Sequence, residues 1–361
     1  MAQKRKIVVV AGEYVSSEDN STGHLMSEII EALSDEYQVI TVTVTKKQMR
    51  FLPGRLKSVA MKGFVALKLL IKIRKNSGAD RVLITCSNPF LNWYTLRFAG
   101  KFSSVNFVVF DVFPETASDL ARPQLRRILH LVRNYLLPKS VNMFCIGYEM
   151  SRYLSDVIKR DSDNVHLHYT PIWVRSKDEN TILPKTGSLI YFGNFGEVAE
   201  VEAIKIFCEN LNADLKLKII GRNAPIRLSC LHGNKYVDLM KEVSFTDRKT
   251  IYNEGVASLV IQRPSLKYFA VPSKAFYSWE NGLPIVYFGS RESELHQLVT
   301  LNPFLGIAFD FNEVGSAASK AATVKYLEEY TLNDKELMKS FLSSNYQRSI
   351  TTILKVANEG V

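Results

Sequence analysis

The sequence predicts a tandem α/β protein, two doubly wound parallel-sheet domains in succession, on three observations. Short apolar runs alternate with helix-length amphipathic segments along nearly the whole chain. That strand–helix–strand rhythm forces parallel pairing, because the crossover helix returns each strand to the same starting edge. A polar stretch, RSKDENTILPKTG (175–187), interrupts the rhythm, which then restarts. At 361 residues the chain also exceeds what one hydrophobic core usually serves.

The elements follow in order. KIVVVAG is a first buried strand, followed by a helix over Thr22 to Leu33, the strand YQVITVTV and a basic helix over 56–75. DRVLITCS, a helix at 90–101, NFVVFDV, a helix at 122–137 and NMFCIG continue the series, and His166-Leu167-His168 lies on a further strand. After the polar stretch come SLIYFGN, a helix at 198–211, LKLKIIG, a helix near 247–255, ASLVIQ, a helix at 273–281, PIVYFG and LGIAFDF. A final helical stretch, about 334–358, has no strand after it. The division is therefore a first domain at 1–172, a linker at 173–187, a second domain at 188–333, and a C-terminal helix at 334–361 that packs back on the first domain. Open α/β sheets bind ligands beyond the carboxyl ends of their strands. Two such domains facing each other across a cleft would hold a ligand between them.

Composition narrows the function. The apolar share of 46% is ample for globular cores. The net charge of +10 is unevenly placed: residues 1–175 hold 25 Lys+Arg against 15 Asp+Glu, and residues 176–361 hold 21 of each. Cys86, Cys145, Cys208 and Cys230 show neither metal-ligand nor disulfide spacing, which fits reduced thiols in the cytoplasm. Lys4-Arg5-Lys6 before IVVVAG resembles a signal peptide, but Glu13 ends the apolar run too early. No segment approaches the roughly 20 apolar residues that span a bilayer.

One segment asks for an anion. In VPSKAFYSWENGLPIVYFG (271–289), Pro272 presets a helical φ, the Ser273 hydroxyl is suited to cap the helix, and Asn281-Gly282 ends it. Lys274 then stands in the first turn, where the helix dipole disfavours a cation. Free N–H groups, a positive helix end and a lysine together make a phosphate site; an ordinary helix with a surface lysine is the alternative.

With these segments in hand, the chain resembles family 4 retaining glycosyltransferases of the GT-B fold, in the branch that builds bacterial cell-surface polysaccharides. The resemblance rests on DVFPETA (111–117), YFGNFGEVAEVEAIKIF (191–207), LKIIGRN (217–223) and VPSKAFYSWENGLPIV (271–286), in that order. It implies that the second domain holds a nucleotide-sugar, with Ser273 and Lys274 at its diphosphate. Gly193, Asn194 and Gly196 would form the backbone loop beside those phosphates, Gly221 and Arg222 the edge of the nucleotide pocket, and Arg263 and Tyr277 further donor contacts. Gly23 would border the reaction centre from the first domain. Asp111 and Glu115 would be the catalytic carboxylates, placed for the acceptor hydroxyl or the sugar. Many members of the family carry two glutamates where this chain has Phe269 and Tyr277, and an arginine and a lysine where it has Asn194 and Ala199.

The basic stretches suggest where such an enzyme works. Residues 46–75 hold ten Lys or Arg and no acid. On a helix, Ala60, Phe64, Leu67 and Ile71 share a stripe that should pack on the sheet, with Lys68, Lys72 and Lys75 on another face. RPQLRRILHLVRNYLLPK places Arg126 and Arg127 off a similar stripe. The expected partners are an anionic membrane surface, a lipid-linked or polysaccharide acceptor and a nucleotide-sugar donor, with the protein peripheral on the inner face of the cell membrane. Nucleic acid is not expected, because the basic stretches lack interleaved aromatics and zinc or helix-turn-helix signatures.

Departure of a diphosphate needs electrostatic stabilisation that cations and helix ends supply, so no metal and no cofactor are expected. His166 and His168 could form a metal pair but lack an evident third ligand. Asp161-Ser162-Asp163 imitates a metal motif, yet it follows Lys159-Arg160 rather than an apolar strand. No phosphate-binding Gly-x-x-x-x-Gly-Lys loop or serine nucleophile elbow occurs. Two other readings stand beside the transferase: a non-catalytic partner subunit, suggested by Phe269 and Tyr277, and a nucleotide-sugar epimerase of the same architecture.

Overall fold

The computed structural model describes residues 6–12, 21–43, 56–86, 101–113, 115–117, 141–158, 165–171, 173–176, 187–193, 201–209 and 211–359. The helix expected at 122–137, Arg126 and Arg127 with it, lies outside them, as do Asp161-Ser162-Asp163, Asn194 and Gly196. So does the helix expected at 90–101, apart from Lys101, which directly precedes a strand. The chain forms two compact units, 1–173 with 346–361, and 174–345.

The first unit contains β1 (Ile7–Gly12), α1 (Ser21–Ser34), β2 (Gln38–Thr43), α2 (Leu56–Arg74), β3 (Gly78–Cys86), β4 (Phe102–Val109), β5 (Val141–Cys145), α3 (Tyr148–Ile158) and β6 (Val165–Tyr169). Its sheet runs β2-β1-β3-β4-β5-β6 with every neighbouring pair parallel. The central strands are continuous apolar runs because helices cover both faces; Val8, Val9 and Val10 are all fully buried. A polar line crosses this sheet. Asn106 Nδ2 donates to the Leu83 carbonyl (3.1 Å), Asn142 Nδ2 donates to Asn106 Oδ1 (3.1 Å), and His168 Nε2 lies 3.0 Å from Asn142 Oδ1. Buried amides need such partners, since an unpaired one costs about 1–3 kcal/mol.

The second unit contains β7 (Ser188–Phe192), α4 (Val201–Glu209), β8 (Lys216–Ile220), a short α5 (Ala224–Arg227), β9 (Val237–Met240), α6 (Phe245–Asn253), β10 (Gly255–Ile261), α7 (Ser273–Glu280), β11 (Ile285–Gly289), α8 (Glu294–Leu301), β12 (Gly306–Asp310) and α9 (Ala317–Glu329). Its sheet, β12-β11-β10-β7-β8-β9, is again parallel throughout. Phe207, Leu217, Ile219, Leu259, Val286 and Phe288 centre its core. The last helix, α10 (Leu332–Glu359), begins in the second unit, and its residues from Tyr346 onward belong to the first. There Ser349 Oγ donates to the Pro171 carbonyl (2.6 Å) and Lys6 Nζ to that of Ala357 (2.7 Å).

Two expectations are corrected. The stripe of α2 assigned to the sheet points to solvent: Phe64 is 47% exposed and Leu67 and Ile71 are each 53% exposed. The face packed on the sheet is Val65, Ala66, Leu69, Leu70 and Ile73, against Val9, Val42 and Leu83. That face pairs adjacent apolar residues one turn apart and is the broader of the two, so it buries more area. The second correction concerns α7. Pro272 occupies the N-cap position and Ser273 the first helical one, with no side-chain cap hydrogen bond. A proline has no side-chain acceptor, so the serine falls one residue too late to cap. The other end is as read: Gly282 takes φ 73°, and the N–H groups of Gly282 and Leu283 reach the carbonyls of Trp279 (3.0 Å) and Ser278 (2.9 Å). This is a Schellman closure that needs a left-handed residue.

Candidate active site

In a parallel sheet every carboxyl end lies along one edge. In the second unit that edge carries Gly193 after β7, Gly221 and Arg222 after β8, and Gln262 and Arg263 after β10. Neighbouring strands β10, β7 and β8 therefore bring these residues side by side. Gly193 N donates to the Ile220 carbonyl (3.0 Å) and Gly221 N to that of Met240 (3.2 Å), which fixes the start of both turns. A β-carbon on Gly193 would sit 2.6 Å from Tyr191 Cε1, so any other residue there would have to displace this ring.

Lys274 joins the same edge. It extends from the N-terminus of α7 to place Nζ 4.1 Å from the centroid of the Tyr191 ring. Such an ammonium–ring contact contributes about 0.5–2 kcal/mol and steers a long side chain to one place. The helix has no acid in its first turn, so its positive end is uncompensated by its own side chains. The arrangement concentrates positive charge beside a glycine turn, a combination that accepts an anion. Arg222 is 77% exposed and has Nε 3.7 Å from Glu242, close to the sheet edge but turned outward.

Tyr277 is buried among Tyr252 and Leu283, with Phe192 beside them, and forms part of the wall of this edge. Arg248 on α6 lies 5.7 Å from the Phe192 ring, while burial pushes the Tyr252 hydroxyl well up against the opposing pull of Arg248. Phe269 packs edge-on to Tyr268 (6.4 Å). Sequence reading missed Tyr191, Arg248, Gln262 and Tyr287. For Tyr191 the signal was present, since a polar-tipped ring two residues before a glycine on a strand shares that residue's face.

In the first unit Asp111 is exposed just beyond β4, whereas Glu115 is fully buried in a 3₁₀ turn and accepts a hydrogen bond from Tyr153 Oη on α3 (2.7 Å). The two acidic side chains thus stand in opposite environments, one exposed and one buried within the fold. Gly23 is buried in the first turn of α1 beside His24, which is 3% exposed. On α2, Lys68 Nζ rests 4.6 Å over the Phe64 ring, Lys72 Nζ donates to the Thr43 carbonyl (2.7 Å), and Lys75 is exposed just past the helix end. His168 is engaged with Asn142 while His166 is exposed, and no cluster of three metal-ligating residues occurs among the described residues.

No protein-family model matches the chain. It is 22% identical over 342 residues to a probable glycosyltransferase, WbjE, of Pseudomonas aeruginosa, covering 81% of this chain and 83% of that one. Among solved structures, that of trehalose-6-phosphate from E. coli bound with UDP-2-fluoro glucose superposes with a TM-score of 0.66 at 11% identity, covering 98% of this chain and 99% of the other. The lipopolysaccharide outer core galactosyltransferase WaaB in its apo form gives a TM-score of 0.58 at 10% identity, covering 97% and 98%. The chain is a homologue of that probable glycosyltransferase and has the GT-B architecture, two parallel α/β sheets with flanking helices.

Proposed function

We propose that this protein transfers a sugar from a nucleoside-diphosphate sugar to a lipid-linked or polysaccharide acceptor, retaining the anomeric configuration and using no metal ion. The observation that carries the reading is the convergence of Lys274, the N-terminus of α7 and the Gly193 turn at one sheet edge. Negative charge develops on the departing diphosphate, and a lysine and helix-end N–H groups aimed at it are preorganised to stabilise that charge. Ser273, Gly221, Arg222 and Arg263 complete the donor site in this reading, with the second unit as donor domain and the first as acceptor domain. Asp111 orients the acceptor hydroxyl, and Glu115, held by Tyr153, maintains the turn that presents it. The resemblance to family 4 enzymes, the WbjE relationship and the UDP-sugar in the E. coli structure support this reading.

The acceptor side is assigned to an anionic membrane surface. No described helix is long and apolar enough to cross a membrane. The outward Phe64, Leu67 and Ile71 on an acid-free helix, flanked by Lys68, Lys72 and Lys75, support a surface-bound protein. On this reading the enzyme works in the cytoplasm, at the inner face of the cell membrane.

The test is a melting panel of nucleoside diphosphates and nucleotide-sugars, repeated on Lys274→Ala. A ligand at about 100 times its dissociation constant stabilises the fold by about 2.7 kcal/mol. A selective shift lost in the variant supports the donor site and identifies the nucleotide. No shift from any ligand favours a non-catalytic partner subunit, for which the buried Tyr277 at a family glutamate position is the structural reason. Turnover of donor without acceptor selects an epimerase.

A further inference from the structure

Two loops at the carboxyl edge of the second sheet are fastened to each other through one buried amide. Gln262, the residue after β10, is 5% exposed. Its Nε2 donates to the carbonyls of Leu266 (3.2 Å) and Ala270 (2.8 Å), and its Oε1 accepts from Tyr287 Oη (2.6 Å). The two carbonyls fix the amide orientation, because only an NH₂ group satisfies both. Tyr287 must therefore donate its single proton to Gln262. Tyr287 Oη also lies 2.7 Å from Ser293 Oγ, and Ser293 caps α8 through the His296 N–H (3.4 Å).

The result is a continuous line from the segment 263–272, through the ends of β10 and β11, into the turn at 290–293. A β-carbon on Gly289 would collide with the Tyr287 hydroxyl, so the end of β11 is shaped around that group. A second fastening joins the same two loops on the outside: Lys267 Nζ lies 2.5 Å from Glu292 Oε2, which Tyr268 Oη also meets. Being exposed, that ion pair contributes little, whereas the inner network is buried and has no water to replace a lost partner.

What the clamp holds matters more than what it weighs. The segment 263–272 begins with Arg263 and ends at Pro272, which delivers Ser273 and Lys274. We propose that Gln262 and Tyr287 are positioning residues for the donor: without touching the ligand, they set the 263–272 segment so that Arg263 and Lys274 are preorganised for the diphosphate. The proposal rests on the donor-site reading above and assigns to it the two residues that hold its loop.

The test is titration calorimetry of UDP, GDP, ADP and TDP on the wild-type chain, Tyr287→Phe, Gln262→Leu, the double variant, and Lys267→Ala, well below each melting temperature. Amide hydrogen exchange across 263–272 is followed in parallel. Tyr287→Phe removes one buried hydroxyl and nothing else, so the fold should persist. It should weaken the best-bound diphosphate about tenfold, the scale of one buried hydrogen bond, and speed exchange in the segment. Gln262→Leu should weaken it comparably. The double variant should be no worse than the stronger single one, because both act through one network, and Lys267→Ala should change affinity less than about twofold.

Lower melting temperatures with affinities within about twofold of wild type would overturn the proposal and leave the network a purely structural one. Failure of the wild-type chain to bind any of the four diphosphates would remove the donor site itself, and the proposal with it. The two failures are told apart by the wild-type titration alone.

Discussion

Two helices carry the lysines that matter here, and they are built in opposite ways. In α2, the lysines share a surface with apolar side chains that point outward, Phe64, Leu67 and Ile71, while a different face meets the sheet. In α7, six residues from Ala275 to Glu280 are buried, and Lys274 stands at the N-terminus over a tyrosine ring. A lysine repeated along an exposed helix makes a diffuse positive surface suited to a partner with no fixed geometry. A lysine fixed at a helix start makes a point charge suited to one small anion. On the proposed function the same side chain serves two kinds of recognition, and burial of its neighbours decides which.

The largest expected effect tests whether α2 truly has two apolar faces. Leu69 is fully buried and Leu67 is 53% exposed. Leu69→Ala should cost about 2–5 kcal/mol in denaturant unfolding, as core truncations do, while Leu67→Ala should stay within about 0.5 kcal/mol. The reverse ranking would restore the stripe first assigned to the core. Next in size is charge reversal on the same helix. Each cation near an anionic surface adds about 1 kcal/mol, so Lys68, Lys72 and Lys75 changed together to Glu should abolish sedimentation with phosphatidylserine vesicles. Unchanged sedimentation would sink the membrane assignment. A loss confined to Phe64, Leu67 and Ile71 replaced by Ser would move it from charge to insertion.

The contrast between the two helices also shows what was legible in advance. The rhythm of strands was, and so was the Gly282 terminus of α7, because these depend on local periodicity and backbone conformation. Which face of α2 is buried was not legible. Two apolar stripes of similar length compete there, and the sheet surface they compete for is assembled from β1, β2 and β3, distant in sequence. The helices α3, α8 and α9 were missed, and so was β9, only four residues long. Each is short or strongly polar on its outer face, so tertiary packing outweighs its intrinsic pattern. The proposed anion site was half legible. Lys274 was visible as a misplaced charge, but its docking on Tyr191 and the Gln262–Tyr287 clamp join segments far apart along the chain.

On the other helix, Lys274→Ala should weaken the preferred nucleoside diphosphate about 10- to 100-fold, the range of a charge-assisted contact. Tyr191→Phe keeps the ring and should leave that affinity nearly unchanged, whereas Tyr191→Leu removes the surface on which the ammonium rests and should weaken binding about threefold. Equal effects from both tyrosine variants would mean that the hydroxyl, rather than the ring, positions the lysine.

The smallest effect asks whether the polar line in the first sheet behaves as a buried network, in contrast to the exposed charges of α2. Burial first, and repulsion from His166 second, hold the His168 imidazolium below its ordinary range, against an opposing pull from Glu359. His296 is shifted the same way by burial and by Arg291. A group whose folded pKa is depressed in this sense binds its proton more readily when unfolded. Stability is therefore fully present above the unfolded histidine value of 6.5 and is lost as pH falls below it. Between about pH 7 and pH 5 Glu292 adds little to such a change, because its hydrogen bond with Lys267 holds it below its ordinary value. His168→Gln keeps a donor for Asn142 Oδ1 but has no proton to gain. Its melting temperature should fall less than that of wild type between pH 7 and pH 5, and His296→Gln should remove a separate share. Identical acid slopes in wild type and His168→Gln would show that the imidazole titrates freely in the folded sheet, and that the line from Leu83 to His168 is open to water at its outer end.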